Sequence, residues 1–177
     1  MSLLDSAAPD FSDPLGLLAA CHQRMLGFCE LLERMQPWLR SRGVDKDASE
    51  SAKRVLRYFN TAGALHHLDE EVDLFPMLGN DHRIGVLIDR LRAEHRALEQ
   101  GWTELARQLE GLLNGHYDPE AFDAAVTPFC AGYRSHIHDE ESELLARAKS
   151  RLSETQLRKL GESMAARREP SRNSRTQ

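Results

Sequence analysis

Eight histidines occur in this chain of 177 residues. Four of them, His22, His66, His95 and His136, fall on apolar stripes that recur every three or four residues. Two carry a glutamate one turn later: Glu70 after His66, and Glu140 after His136. Residues i and i+4 share a helix face, so each His/Glu pair points the way its stripe points, into a core. A single core histidine is ordinarily a structural residue with a backbone partner. Four, each on the seam of a different helix, ask for another explanation. An unpaired buried carboxylate costs several kcal/mol or takes up a proton. No seam position holds a Lys or Arg to neutralise Glu70 and Glu140, and a bound cation is the remaining way to stabilise them.

The segment His66-His67-Leu68-Asp69-Glu70-Glu71-Val72-Asp73-Leu74 matches His136-Ile137-His138-Asp139-Glu140-Glu141-Ser142-Glu143-Leu144. The shared frame, His-x-x-Asp-Glu-Glu-x-Asp/Glu-Leu, suggests two half-sites related by a pseudo-two-fold axis, and so two metal ions side by side. Imidazole and carboxylate without thiolate suit Fe, Mn or Zn. Six or more ligands on four helices fit a pair of octahedral ions bridged by carboxylates, with di-iron the first choice. Neither the Glu-x-x-His turns of ferritin-type sites nor His-Glu-x-x-His occurs. His67, on the flank of the seam, is placed to supply an extra ligand to the second ion. Glu99, one turn after His95, is a further candidate. A rotation of about 100° per residue turns Glu71, Glu141 and His138 outward. His82 and His116 read as surface residues at helix ends, and Tyr133 as core packing with a hydrogen-bonding tip.

The elements that must position these residues are helical, because β-branched alternation is absent and the three-four periodicity is strong. Asp13-Pro14 opens helix 1, which Pro37 ends or kinks. Helix 2 runs from about Asp45 to Phe75, closed by Pro76 and Gly79-Asn80. Asp81 caps helix 3, which stops at Asn114-Gly115. Asp118-Pro119 opens helix 4, which reaches about Ser150. Ser153 and Gln156 form a capping box for a short fifth helix. The expected seams are Leu15, Leu18, His22, Met25, Cys29 and Leu32; Ala52, Val55, Phe59, Ala62, His66 and Asp69/Glu70; Ile84 through Leu112 on helix 3; and Phe122, Val126, Phe129, Tyr133, His136, Glu140 and Leu144. Together they predict an all-α, up-down-up-down four-helix bundle. The expected divisions are an N-terminal arm (1–12), the bundle (13–150), the C-terminal helix (151–166) and a disordered tail (167–177), whose Arg, Ser and Pro cannot build a core.

The ordered set Cys21-His22, His66-His67-x-x-Glu70-Glu71 running into Leu74-Phe75-Pro76, Glu94-His95, and His136-Ile137-x-x-Glu140 resembles the hemerythrin-like, HHE cation-binding domain family, over about residues 13 to 149. The resemblance implies a four-helix bundle around a non-haem di-iron centre with an oxo or hydroxo bridge. It implies ligands at His22, His66, Glu70, His95, His136 and Glu140, the two glutamates bridging, with His67 where some members carry an additional ligand. Oxygen-carrying members have a second helix-3 histidine where this chain has Glu99. They also place an aspartate at the position of Glu141. Fewer imidazoles stabilise the ferric state and favour oxidation over clean release of O2.

Composition narrows the functions. With 23 basic and 28 acidic residues, a formal net charge of -5, the chain lacks the footprint for gripping nucleic acid. No apolar run approaches a membrane span, and residues 1–10 do not read as a secretory signal. Three cysteines without a Cys-x-x-Cys pair agree with a cytoplasmic protein. The leading expectation is a di-iron protein handling O2, NO, peroxide or iron in sensing, detoxification or iron buffering. Zn or Mn are possible substitutes for iron. The alternatives are a di-iron oxidase or peroxidase, and a metal-stabilised module that binds a protein partner.

Overall fold

The computed structural model describes residues 9–79 and 82–169. Among them are five helices and no strand: α1 (Pro14–Arg42), α2 (46–77), α3 (His82–Leu113), α4 (119–151) and α5 (Glu154–Arg168). The punctuation acts as the residues suggest. Asp13 Oδ1 accepts from Gly16 N at 3.0 Å, Asp45 Oδ1 from Ala48 N at 2.8 Å, and Asp118 Oδ1 from Ala121 N at 3.0 Å. Ser153 and Gln156 form the reciprocal capping box. Gly115, at φ +82, closes the turn after α3, a conformation that glycine adopts without a Cβ penalty. The expected Asp81 cap lies outside the described residues.

α1 pairs with α2 and α4, and α3 with α2 and α4, which closes a bundle of four. The seams are buried nearly as expected, with two differences. α1 continues through Pro37 to Arg42. Proline in a helix interior costs about 3 kcal/mol. Met35 and Leu39, on either side of it, are buried in the core, and each such burial recovers about 1.5–3 kcal/mol. In α2 the core position is Gly63, not Ala62. A π turn at Phe59–Gly63 inserts an extra residue and carries the register forward by one.

Two more π turns follow, Asp69–Leu74 in α2 and Glu140–Leu145 in α4. They begin within one residue of Glu70 and Glu140, so the repeated sequence folds into a repeated irregularity. α5 lies across α1 and the π turn of α2. The chain before α1 is tied to it as well: a Cβ on Gly161 would meet the Phe11 carbonyl oxygen at 1.9 Å, so this approach needs glycine. α5 runs two residues past its expected end at 166, and Arg167 and Arg168 belong to it rather than to a tail. Residues 170–177 of that expected tail lie outside the described residues. No helix among the described residues is long and apolar enough to cross a membrane.

Candidate metal centre

The buried core divides into two apolar clusters. One runs from Met25 and Cys29 through Phe59, Phe129 and Tyr133; the other holds Leu18, Leu74, Phe75, Leu91, Leu144 and Met164. Between them lies a polar layer of His22, His66, His67, Asp69, Glu70, His95, His136 and Glu140, every one buried. All seven residues expected to serve a metal are in this layer. Glu99 is not: it is exposed, as are His138, His82 and His116.

The layer resolves into two sets of donors. His22 Nε2 lies 3.1 Å from His66 Nε2 and 3.1 Å from Glu140 Oε2, and His66 Nε2 lies 3.4 Å from Glu70 Oε1. On the other side His95 Nε2 is 3.4 Å from Glu70 Oε2 and 3.5 Å from Glu140 Oε1. His136 Nε2 is 3.1 Å from Glu140 Oε1. Each carboxylate therefore turns one oxygen toward each set. Within His22, His66, Glu70 and Glu140, and again within Glu70, His95, His136 and Glu140, the donor atoms lie within 4.8 Å of one another. Atoms bound at about 2.1 Å to one ion lie up to about 4.2 Å apart, so a small inward shift of these side chains would seat one. His67 joins His95 and His136 in a third such group, its ring stacked on His95 at 4.1 Å.

The chain alone does not satisfy this layer. Both oxygens of Glu70 and Glu140, Nε2 of His67, His95 and His136, and Nδ1 of His66 are buried without a hydrogen-bond partner. Buried polar atoms are nearly always partnered, and here all the orphans except His66 Nδ1, whose ring turns Nε2 inward, lie among the facing imidazoles and carboxylates. The donor chemistry fits a cation.

Charge without a metal is frustrated accordingly. Burial raises the pKa of Glu70, and the charge of Glu140 raises it further. Burial opposes ionisation of Glu140 too, yet His136, His22 and His95 hold its pKa well below the usual range. Burial alone lowers His22 and His95, but Glu140 and Glu70 outweigh it and push both up to about 10. For His66 and His67 the charge of Glu140 helps too little to offset burial. Burial drives His66 well down, with the neighbouring His22 adding to the effect, and lowers His67 to about 3, with His95 adding to it.

An outer ring of carboxylates holds the rings in place. His22 Nδ1 donates to Glu141 at 3.2 Å, His95 Nδ1 to Glu71 at 2.7 Å, and His136 Nδ1 to Glu94 at 2.8 Å. A carboxylate on Nδ1–H fixes the tautomer and leaves the Nε2 lone pair for a metal. Glu71 and Glu141 thus do more than face outward as an ideal helix predicts. Both lie in π turns, where the 100° step does not hold, and from the rim they reach the ring of a facing helix. Glu94 was visible in sequence only as the residue before His95. Asp69 was visible as a seam residue beside Glu70, without a partner. Its partners are Arg167, in close contact, and Arg168 at 2.6 Å. Only their basic, polar context pointed toward a tail, and no local signal tied them to α2.

A helical bundle with imidazoles and shared carboxylates at its centre defines a class of cation-binding proteins. Within that class, residues 13–148 match the hemerythrin HHE cation-binding domain, and the chain belongs to that family. It is also 32% identical over 160 residues, 90% of this chain and 92% of the other, to an uncharacterized protein of Haemophilus influenzae.

Proposed function

We propose that the protein holds two iron ions between Glu70 and Glu140 and uses them to handle a small ligand, O2, NO or peroxide, or iron itself. The observation that carries this reading is the span of the two carboxylates, one oxygen of each toward each imidazole set. His22 and His66 would hold one ion, His95 and His136 the other, with His67 beside the second. Nitrogen and oxygen donors without thiolate suit iron, with manganese and zinc the nearest substitutes. When bound, a pair of irons supplies electron transfer and a place for the small ligand.

The chain's own part is positional. Glu141, Glu71 and Glu94 keep Nδ1–H of three rings occupied, so Nε2 faces inward. The two apolar clusters exclude water above and below, which strengthens every charge interaction between them. The three cysteines are free and buried, which suits a reducing compartment, and we place the protein in the cytoplasm.

Metal analysis of protein purified without an affinity tag tests the reading. It should find about two irons per chain, less after His66→Ala or His136→Ala, and an unchanged content after His138→Ala, since His138 is exposed. A single zinc per chain overturns it. A second reading, a di-iron oxidase or peroxidase, is favoured by a cleft of about 400 Å³ that reaches His67. Catalytic loss of added peroxide, abolished in Glu70→Ala, would select it.

A further inference from the structure

Glu99 takes no part in the metal cluster, and what it does instead follows from the cleft between α2 and α3. That cleft, about 400 Å³, is walled by Phe59, Trp102, Tyr133 and Leu98, and His67 lies at its inner end. Its volume falls in the range of small-molecule sites. The aromatic wall is continuous: Phe59 lies 5.0 Å from Trp102 and 5.4 Å from Tyr133, centroid to centroid. Leu68, which also lines it, is 46% exposed, an apolar side chain left in water at the mouth. The charged residues on the lining are both acidic, Glu71 and Glu99, and no Lys or Arg is among them.

Glu99 has no ion-pair partner among the described residues. Glu71 uses Oε1 on His95 Nδ1, and its Oε2 has no partner among them either. Two carboxylates with spare acceptors beside a wall of aromatic rings repel anions and attract a cation, through charge-assisted hydrogen bonds and the ring quadrupoles. The apolar wall would contribute little to a bare metal ion but would stabilise an organic body.

We propose that this cleft binds a small organic ammonium compound, an amine with an apolar or aromatic body, one imidazole ring away from the metal centre. The cationic end meets Glu99 and Glu71 and the body lies against Phe59, Trp102 and Leu98. Because Glu71 also accepts from His95, an ammonium on its second oxygen weakens its pull on that ring, which couples the cleft to the centre. Binding itself does not rest on the identity of the metal.

Isothermal titration calorimetry on the full-length, metal-bearing protein tests this with 2-phenylethylamine, 2-phenylethanol and 3-phenylpropionate, metal content being measured on the same samples. The amine should bind saturably, at least about tenfold tighter than the alcohol, and the carboxylate should not bind. Glu99→Gln should cut the preference for the amine over the alcohol severalfold, the remainder resting on Glu71, and an undiminished preference would overturn the proposal. Ala64 is exposed and lines the cleft, so Ala64→Phe should fill it and abolish binding while helicity and metal content stay unchanged. Equal binding of the three probes, amine binding that survives Ala64→Phe, or no amine binding at millimolar concentration overturns the proposal. Loss of metal with amine binding intact would count against the iron reading alone.

Discussion

The half of the centre built around His22 and His66 and the half built around His95 and His136 share Glu70 and Glu140, yet they are furnished differently. In the second half both Nδ1 atoms are held, by Glu71 and Glu94. In the first, Glu141 holds His22, while His66 Nδ1 is buried without a partner. Cys21 precedes His22 where Glu94 precedes His95, so the carboxylate that steadies His136 has no equivalent for His66. His67 adds a third imidazole to the second half, and its counterpart in the repeat is Ile137. Clefts reach His67 and His136, whereas α5 lies over the π turn beside His66. The repeat therefore sets where the donors point, and the residues outside it decide how firmly each half is held and from which side it is approached.

The most severe test removes what the halves share. Glu140→Ala takes an oxygen from both donor sets, removes the main inner counter-charge of His136 and leaves His22 and His95 with Glu70 alone at the centre, a loss of roughly 3–5 kcal/mol by analogy with broken buried pairs. Both ions should leave, with metal per chain falling from about two to near zero, and the melting temperature should fall with it. His66→Ala, confined to one half, should remove about one ion. If mass spectrometry finds one ion retained in Glu140→Ala, the carboxylate is not shared and the comparison of halves has the wrong boundary.

A subtler pair of variants asks whether the outer carboxylates matter as the geometry suggests. Glu94→Gln should lower metal affinity in the second half by about 10–100-fold, the usual effect of losing a carboxylate behind a ligating histidine. Cys21→Ala, at the matching place in the first half, should leave affinity unchanged, because no hydrogen bond to His66 Nδ1 is lost there. Chelator competition reads both. An equal drop in the two variants would mean that Cys21 steadies His66 in a way its geometry does not show.

Sequence made the buried imidazoles and glutamates legible because their spacing obeys the helix: His66 to Glu70 and His136 to Glu140 are one turn apart on seams whose other members are apolar. The starts of α1 and α4 and the end of α3 were legible for the same local reason, Asp-Pro and Asn-Gly acting on their own turns. What sequence did not reveal was non-local or broke the period. The π turn at Phe59–Gly63 shifted the core position from Ala62 to Gly63. Those at Asp69–Leu74 and Glu140–Leu145 let Glu71 and Glu141 reach histidines on other helices. Arg167 and Arg168 looked like the start of a tail because their partners lie nearly a hundred residues away. A basic pair in a polar stretch carries no mark of the buried carboxylate it will meet.

That carboxylate provides the narrowest test of the comparison, since Asp69 and Asp139 hold the same place in the repeat. Asp69 is fully buried and takes contacts from Arg167 and Arg168, while Arg167 also reaches Asp73 at 2.6 Å. Asp139 lies 3.4 Å from Arg90, which is 47% exposed and also pairs with Glu94 and Glu143. Asp69→Ala should leave two half-buried guanidinium groups short of an acceptor and cost about 2 kcal/mol. For a chain of this size, that lowers the melting temperature by about 4–8 °C. Asp139→Ala should stay within about 0.5 kcal/mol, because an exposed pair is weak and Arg90 keeps its other partners. Thermal melts of the two variants with metal bound decide the matter. Equal losses would show that α5 adds nothing to the first half beyond a surface contact, while a large loss only in Asp69→Ala, rescued in part by Asp69→Asn, which keeps one acceptor for the two arginines, would tie the C-terminal helix to the turn that presents Glu70.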